Sequence, residues 1–300
     1  MKKALISLHV SIFLAGFTAI LGKLITLNEA LLTWYRLLIT VATMWLIYLF
    51  SRKRVGISKS DIWKIFGVGA IVALHWIAFY ASIKYANVSV ALVTFSSVGF
   101  FTAVLEPLFL KKKFRMIEVF FGLIAMAGIL VIFHFDTEYK TGIIAGILAA
   151  ILAAVFTIFN KPLLKRNSAE TVTRYELTGG FFFLTLILPG YLYLFPTNNI
   201  IPGFADLGWL LILAWFCTVL SFTLSLKALE KISAFTVNLS YNLEPVYGIL
   251  LAFIIFKENK SLTTGFWAGL SLIAFSVVLQ TVMVYRSRVG KINNTQRNSA

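Results

Sequence analysis

Acidic residues are scarce in this chain: twelve Asp and Glu among 300 positions, with charged residues of both signs making up only 13%. A soluble domain needs about a quarter of its residues charged to cover its surface, so a water-facing exterior is excluded for most of the length. A single cysteine, Cys217, rules out an internal disulfide and a cysteine metal cluster, and reads as a small buried residue. His9, His75 and His134 stand far apart, without the HExxH spacing of a metalloprotease. Asp61, Asp136 and Asp206 are isolated near segment ends, which excludes the clustered aspartates of polyprenyl-diphosphate chemistry. No GxxxxGK[ST] loop is present to cradle a nucleotide phosphate. The expectation is a protein that is not an enzyme, with no catalytic residue, no metal and no cofactor.

What the chain has instead is apolar length. Hydrophobic residues make up 59% and the mean hydropathy is +0.88. A helix crossing about 30 Å of hydrocarbon at 1.5 Å per residue needs about 20 apolar residues. Such runs fall at residues 4–22, 30–50, 65–84, 88–110, 116–134, 142–160, 174–195, 206–227, 233–256 and 264–285. The fold class is therefore all-α integral membrane, with ten transmembrane helices. The first run follows Lys2 and Lys3 but continues past Ala15-Gly16-Phe17-Thr18-Ala19 into further apolar chain, so it reads as a retained helix rather than a signal peptide.

The net charge of +15 invites a nucleic-acid reading, but its distribution argues against one. Alternate connectors collect the cations: Arg52, Lys53, Arg54, Lys59 and Lys64; Lys111, Lys112, Lys113 and Arg115; Lys161, Lys165, Arg166 and Arg174. The other connectors hold only Lys23, Lys84, Lys140, Lys257 and Lys260. This is the positive-inside pattern. It places both termini in the cytoplasm of a multi-pass protein of the plasma (inner) membrane, its excess charge meeting anionic membrane lipid and no nucleic acid.

The ten runs divide near Thr141 into five and five. Five is odd, so two similar halves sit upside down relative to each other, as inverted repeats, with a binding site between them at mid-membrane. The expected units are residues 1–140, residues 141–286 and a disordered cytoplasmic tail, 287–300. Phe17-Thr18 with Gly22-Lys23 resembles Phe156-Thr157 with Asn160-Lys161, and Trp34-Tyr35-Arg36 resembles Arg174-Tyr175-Glu176. Matching Leu105-Glu106-Pro107 to Leu243-Glu244-Pro245 is rejected, because it sets Lys111 to Lys113 against mid-membrane residues. Aligning helix ends instead pairs Lys111 with Lys257 and Gly99 with Pro245.

The second half carries a more specific pattern. Ala228-Leu229-Glu230-Lys231-Ile232-Ser233-Ala234 leads into Leu243-Glu244-Pro245-Val246-Tyr247, then Ala252 and Phe256-Lys257-Glu258. This resembles the drug/metabolite transporter superfamily, EamA type, over roughly residues 5–285, in its alanine-rich helix start, mid-helix proline and closing acidic residue. Gly99 and Lys112 depart from that pattern in the first half. The resemblance implies a ten-helix inverted-repeat carrier in a family many of whose members export amino acids or other small metabolites.

Ionisable groups within a membrane cost about 2.5–3.5 kcal/mol each on insertion scales, so each needs a reason. Glu244, beside the helix-breaking Pro245, is a candidate for binding a cationic group or a proton, or for a packing hydrogen bond. Asn238, Tyr241 and Pro245 share one helix face, with Asn242 beside Asn238; amides and a ring suit an amphiphilic small molecule, or glue helices together. His75 and Trp76 lie near the centre of the third run, with Tyr80 and Lys84 continuing a polar line towards one surface, where Lys84 snorkels. Ser96, next to Ser97 and Gly99, lines a cavity or permits close helix contact. Arg36 and Glu176, at matching places in the two halves, are candidates for gating or coupling; for Arg36, snorkelling with a carbonyl contact is the alternative. Glu106, near the end of the fourth run, has Lys111 to Lys113 or Arg115 as partners.

The functional expectation is a secondary transporter moving small metabolites, amino acids or related amphiphilic compounds, by alternating access in the export direction. Its cavity is expected between the third, fourth, eighth and ninth helices, in a chain acting as a monomer or weak homo-oligomer. A lipid flippase or a non-transporting membrane partner is the alternative.

Overall fold

The computed structural model describes residues 2–51, 56–135, 137–241, 243–276, 278–279 and 282. Every regular element among them is helical. In chain order they are α1 (Lys2–Leu24), α2 (Glu29–Phe50), α3 (Lys59–Tyr85), α4 (Val88–Phe95), α5 (Val98–Leu110), α6 (Met116–Phe135), α7 (Lys140–Leu163), α8 (Ala169–Leu194), α9 (Phe204–Ala214), α10 (Ser221–Lys231), α11 (Ala234–Tyr241), α12 (Glu244–Phe256) and α13 (Thr264–Ser276). A wide π turn, Trp215–Leu220, joins α9 to α10. Eight helical stretches are long and apolar enough to cross a membrane, among them Val88–Leu110 (α4 with α5) and Phe204–Lys231 (α9 with α10). The pair α11–α12 and the helix α13 complete ten segments. The proposed tail, 287–300, and Asn242 lie outside the described residues.

The fourth segment corrects the expectation of one unbroken helix over 88–110, whereas the ninth is broken beside Pro245, where the sequence expects a broken backbone. The fourth stops at Phe95 and restarts at Val98, with Ser96 and Ser97 donating their hydroxyl hydrogens back to Leu92 O and Thr94 O at 3.2 and 2.8 Å. The ninth stops at Tyr241 and restarts at Glu244. Pro245 is the physical reason there: at the first turn of a helix its missing N–H costs nothing. Glu244 is therefore not mid-helix but at the start of α12.

In the register that pairs Lys111 with Lys257, these breaks coincide, Ser97 falling on Leu243. Both lysines also end their segments in left-handed backbone, at φ 50° and 55°. Asn87 and Ser233, paired by the same register, cap α4 and α11 by accepting from Val90 N at 2.8 Å and Thr236 N at 3.1 Å. The two broken segments lie side by side, α4 on α12 and α5 on α11, so they run antiparallel.

Elsewhere α3 runs between α7 and α8, while α1 packs on α10 and α12. Glycine sets the α3–α8 approach: a Cβ on Gly69 would sit 1.9 Å from Glu176 O, and one on Gly180 2.7 Å from Gly69 O. Large apolar side chains such as Phe50, Leu186 and Ile254 remain exposed, as a surface facing lipid requires.

Candidate functional site

Where the broken segments cross, the helices leave a central cavity. It is walled by α1, α2, α3, the α4–α5 break, α7, the α10 region and the α11–α12 break. The first, second and sixth segments thus join the four expected from sequence. Its accessible space is about 90 Å³, room for a few waters but not for a metabolite.

Arg36 closes the cavity on the side away from the chain terminus, about two turns from the start of α2. It is 2% exposed. Its Nε donates to Thr218 Oγ1 at 2.7 Å, Nη1 to Tyr80 OH at 2.6 Å and Nη2 to Cys217 O at 3.2 Å. The guanidinium also stacks 3.8 Å from the centroid of the Trp76 ring, a cation–π contact of about 2 kcal/mol when desolvated. Of the alternative reading, the carbonyl contact is present, to Cys217 O, but Arg36 does not snorkel, since four neighbours hold the charge inside the protein. The π turn contributes by presenting both Thr218 Oγ1 and the Cys217 carbonyl to Arg36.

On the terminal side, two polar clusters close the cavity. Asn238 Nδ2 donates to Thr102 Oγ1 at 2.9 Å, with Thr157 Oγ1 3.3 Å from its Oδ1. Tyr241 OH shares a 2.8 Å hydrogen bond with Ser11 Oγ, which also reaches Ser221 O at 2.8 Å. Each cluster ties the ninth segment to two others. Between the two ends, His75 Nδ1 lies 2.8 Å from Ala149 O, its ring among Phe79, Phe95 and Phe156. Glu244 lines the same cavity, is 4% exposed, and has no hydrogen bond or ion pair to a described residue. The cavity thus holds a carboxylate with no hydrogen bond or ion pair among the described residues, within reach of the Arg36 charge, whose own hydrogen-bond partners are neutral.

Of the candidates from sequence, Glu244, Asn238, Tyr241, His75, Trp76 and Arg36 line this cavity. Tyr80 is fully buried behind Arg36. Lys84 donates to Ile25 O at 3.0 Å, so the polar line drawn from His75 is not a continuous hydrogen-bond chain. Ser96 is a backbone-bonded residue of the break. Glu176 is wholly buried away from Arg36, accepting from Asn160 Nδ2 at 2.9 and 3.1 Å. Ser221 and Ser225, one turn apart on α10, were not singled out from sequence. With Cys217 they recur every fourth residue, a small polar stripe that marks one helix face. Among the described residues, no group of three His, Cys, Asp or Glu could hold a metal ion.

Both outer ends of the broken segments carry a capping carboxylate from the other half of the chain. Glu258 accepts from Val88 N at 3.1 Å and Ser89 N at 2.9 Å at the start of α4, and from Lys23 Nζ at 2.7 Å. Glu106 accepts from Phe235 N at 3.1 Å at the start of α11, and from Lys112 Nζ at 2.6 Å.

The profile of the EamA-like transporter family matches residues 2–134 and again 140–282. The chain belongs to that family. A relative from Archaeoglobus fulgidus, described as an uncharacterized transporter, is 25% identical over 283 residues, covering 93% of this chain and 99% of its own. One crystal structure superposes with a TM-score of 0.66 at 17% identity, covering 95% of this chain and 99% of that one; it speaks for the fold alone. As an EamA-family transporter the chain is a membrane protein built of two family repeats, each containing one of the two broken segments.

Proposed function

We propose that this EamA-family transporter is a secondary carrier that moves a small amphiphilic metabolite, an amino acid or related compound, through the central cavity by alternating access. The observation that carries the reading is Glu244: a buried carboxylate with no described partner, at a helix break, sharing a cavity with Arg36. A group so placed costs several kcal/mol unless something occupies it in the working cycle. Glu244 would meet a cationic group or a coupling proton. Arg36 would meet a carboxylate by exchanging one of its neutral partners, and the Trp76 and Phe156 rings would cover apolar area. Asn238 and Tyr241 would close the path on the terminal side and Arg36 with Tyr80 on the other, because each ties segments from both halves. Since the cavity holds only a few waters, loading it requires the two halves to move apart at one end, which fits antiparallel repeats.

Export across the plasma membrane is the direction we propose from the family resemblance, and the charge distribution supports a setting with both termini cytoplasmic. The test is an extracellular metabolite profile of cells producing wild type or Glu244→Gln at matched membrane levels. A defined set of small metabolites rising outside with wild type, and falling back at least tenfold with Glu244→Gln, is the expected outcome. Equal profiles for both proteins and for empty cells would sink the reading.

A further inference from the structure

A second cleft, of about 660 Å³, lies outside the central cavity at the terminal face, between the end of α2, the start of α8 and α10. Its most telling residue is Arg174, which lies six residues past the α8 cap Ser168 and thus about 9 Å along the helix. Arg174 is 8% exposed. Its Nε is shut off from solvent with no hydrogen-bond partner, and no ion pair to it exists among the described residues. The contrast with Arg36, which uses three nitrogens on three acceptors, is direct. What holds Arg174 is the Tyr48 ring, 3.8 Å from its guanidinium carbon, with Trp45 and Tyr175 at 5.3 and 5.5 Å.

Among the described residues no carboxylate forms an ion pair with it. Glu170, one turn back on α8, is engaged by Lys227 Nζ at 2.5 Å. The cleft therefore offers a guanidinium clamped flat by aromatic rings, its Nε–H unpartnered, with Thr171 and Thr223 beside it. A planar fork of this kind suits two oxygens of one phosphate. The outer wall is apolar and open towards lipid: Ile47 is 60% exposed and Leu220 43%. Free phosphate has no use for such a wall, whereas acyl chains do.

We propose that this cleft binds an anionic phospholipid of the adjoining leaflet, its phosphodiester on Arg174 and its upper acyl chain along Ile47 and Leu220. The site is independent of whatever passes through the central cavity. It bridges α2 of the first repeat to α8 and α10 of the second, so an occupant touches both halves of the carrier.

The experiment is native mass spectrometry of the purified full-length chain titrated with dioctanoyl phosphatidylglycerol, dioctanoyl phosphatidylcholine and inorganic phosphate. Wild type is expected to bind the phosphatidylglycerol at least tenfold more tightly than the phosphatidylcholine, with inorganic phosphate competing at least tenfold more weakly. Arg174→Gln should erase the preference. Thr223→Phe keeps the charge but fills the cleft, and should weaken binding of the phosphatidylglycerol at least tenfold even if Arg174→Gln does not fold. Equal binding of the two lipids by wild type, or wild-type behaviour of a folded variant, would overturn the proposal. Inorganic phosphate competing as well as the lipid would do so too, by making this a plain phosphate site.

Discussion

Glu258 illustrates how one side chain at the membrane edge serves several ends. Burial pushes its carboxyl up, but bonds from Lys23 and Ser89, together with the Lys23 charge, outweigh burial and hold it below its ordinary value of 4.5. A depressed folded value means that its stabilisation is complete above pH 4.5 and is lost as pH falls through that lower value. Thermal unfolding of the purified protein should therefore show a drop in Tm on acidification below pH 4.5 that is smaller in Glu258→Gln. At neutral pH the same substitution should cost about 1–2 kcal/mol, the usual worth of a lost helix cap. An unchanged acid dependence would show that other carboxylates govern it. The mirrored arrangement at Glu106 could not be deduced from residue type alone. Its proximity to Lys111 to Lys113 was legible, and Lys112 is its partner; the Phe235 N–H it caps lies on another segment, and only tertiary contact brings it near.

At the scale of helices, glycine pairs decide which surfaces touch. Gly69 and Gly67 share α3, but a Cβ on Gly69 would strike the backbone of α8, whereas one on Gly67 meets nothing within 4 Å. Gly69→Ala should lower the yield of folded protein and destabilise it by about 1–3 kcal/mol, the cost of forcing apart a full contact. Gly67→Ala should be neutral or slightly stabilising, because alanine favours a helix. Measuring Tm for both separates local contact from helix propensity, and similar losses would refute the contact argument. The same scale shows where sequence reading succeeds and stops. Runs of about 20 apolar residues were legible because hydrocarbon thickness sets their length. The helix end at Lys111 and Lys257 was legible because charge must stop at the surface. The interruption at Ser96 and Ser97 was not, since serine hydroxyls satisfied by their own helix leave the apolar pattern unbroken. The π turn was equally silent, and with it the way Arg36 finds its acceptors on the eighth segment.

For the molecule as a whole, the charge distribution makes a claim about orientation that the fold itself leaves symmetric. Lys113 and Lys260 are both exposed, on connectors at opposite faces. In a Cys217→Ala background, a membrane-impermeant thiol reagent added to intact cells should label Lys260→Cys and leave Lys113→Cys unlabelled until the cells are broken. The reverse pattern would invert the proposed topology. Two repeats with crossed, broken fourth and ninth segments also explain why the central residues were only partly legible. Glu244, Asn238 and Tyr241 stood out because polarity is rare in a membrane. Their grouping with Arg36, Trp76 and His75 depends on antiparallel crossing, which no single segment encodes.

The native cysteine turns the small size of the central cavity into a clock. Cys217 lines it and is 5% exposed, and a maleimide is too bulky for about 90 Å³. If the halves part as proposed, alkylation of Cys217 in membranes waits for that opening, so its rate should level off at high reagent concentration, at the opening frequency of the resting carrier. A rate that stays proportional to reagent would mean the cavity opens faster than it reacts. Any compound that occupies the site should change that plateau, which would make the chain's lone thiol a direct assay for its unknown cargo.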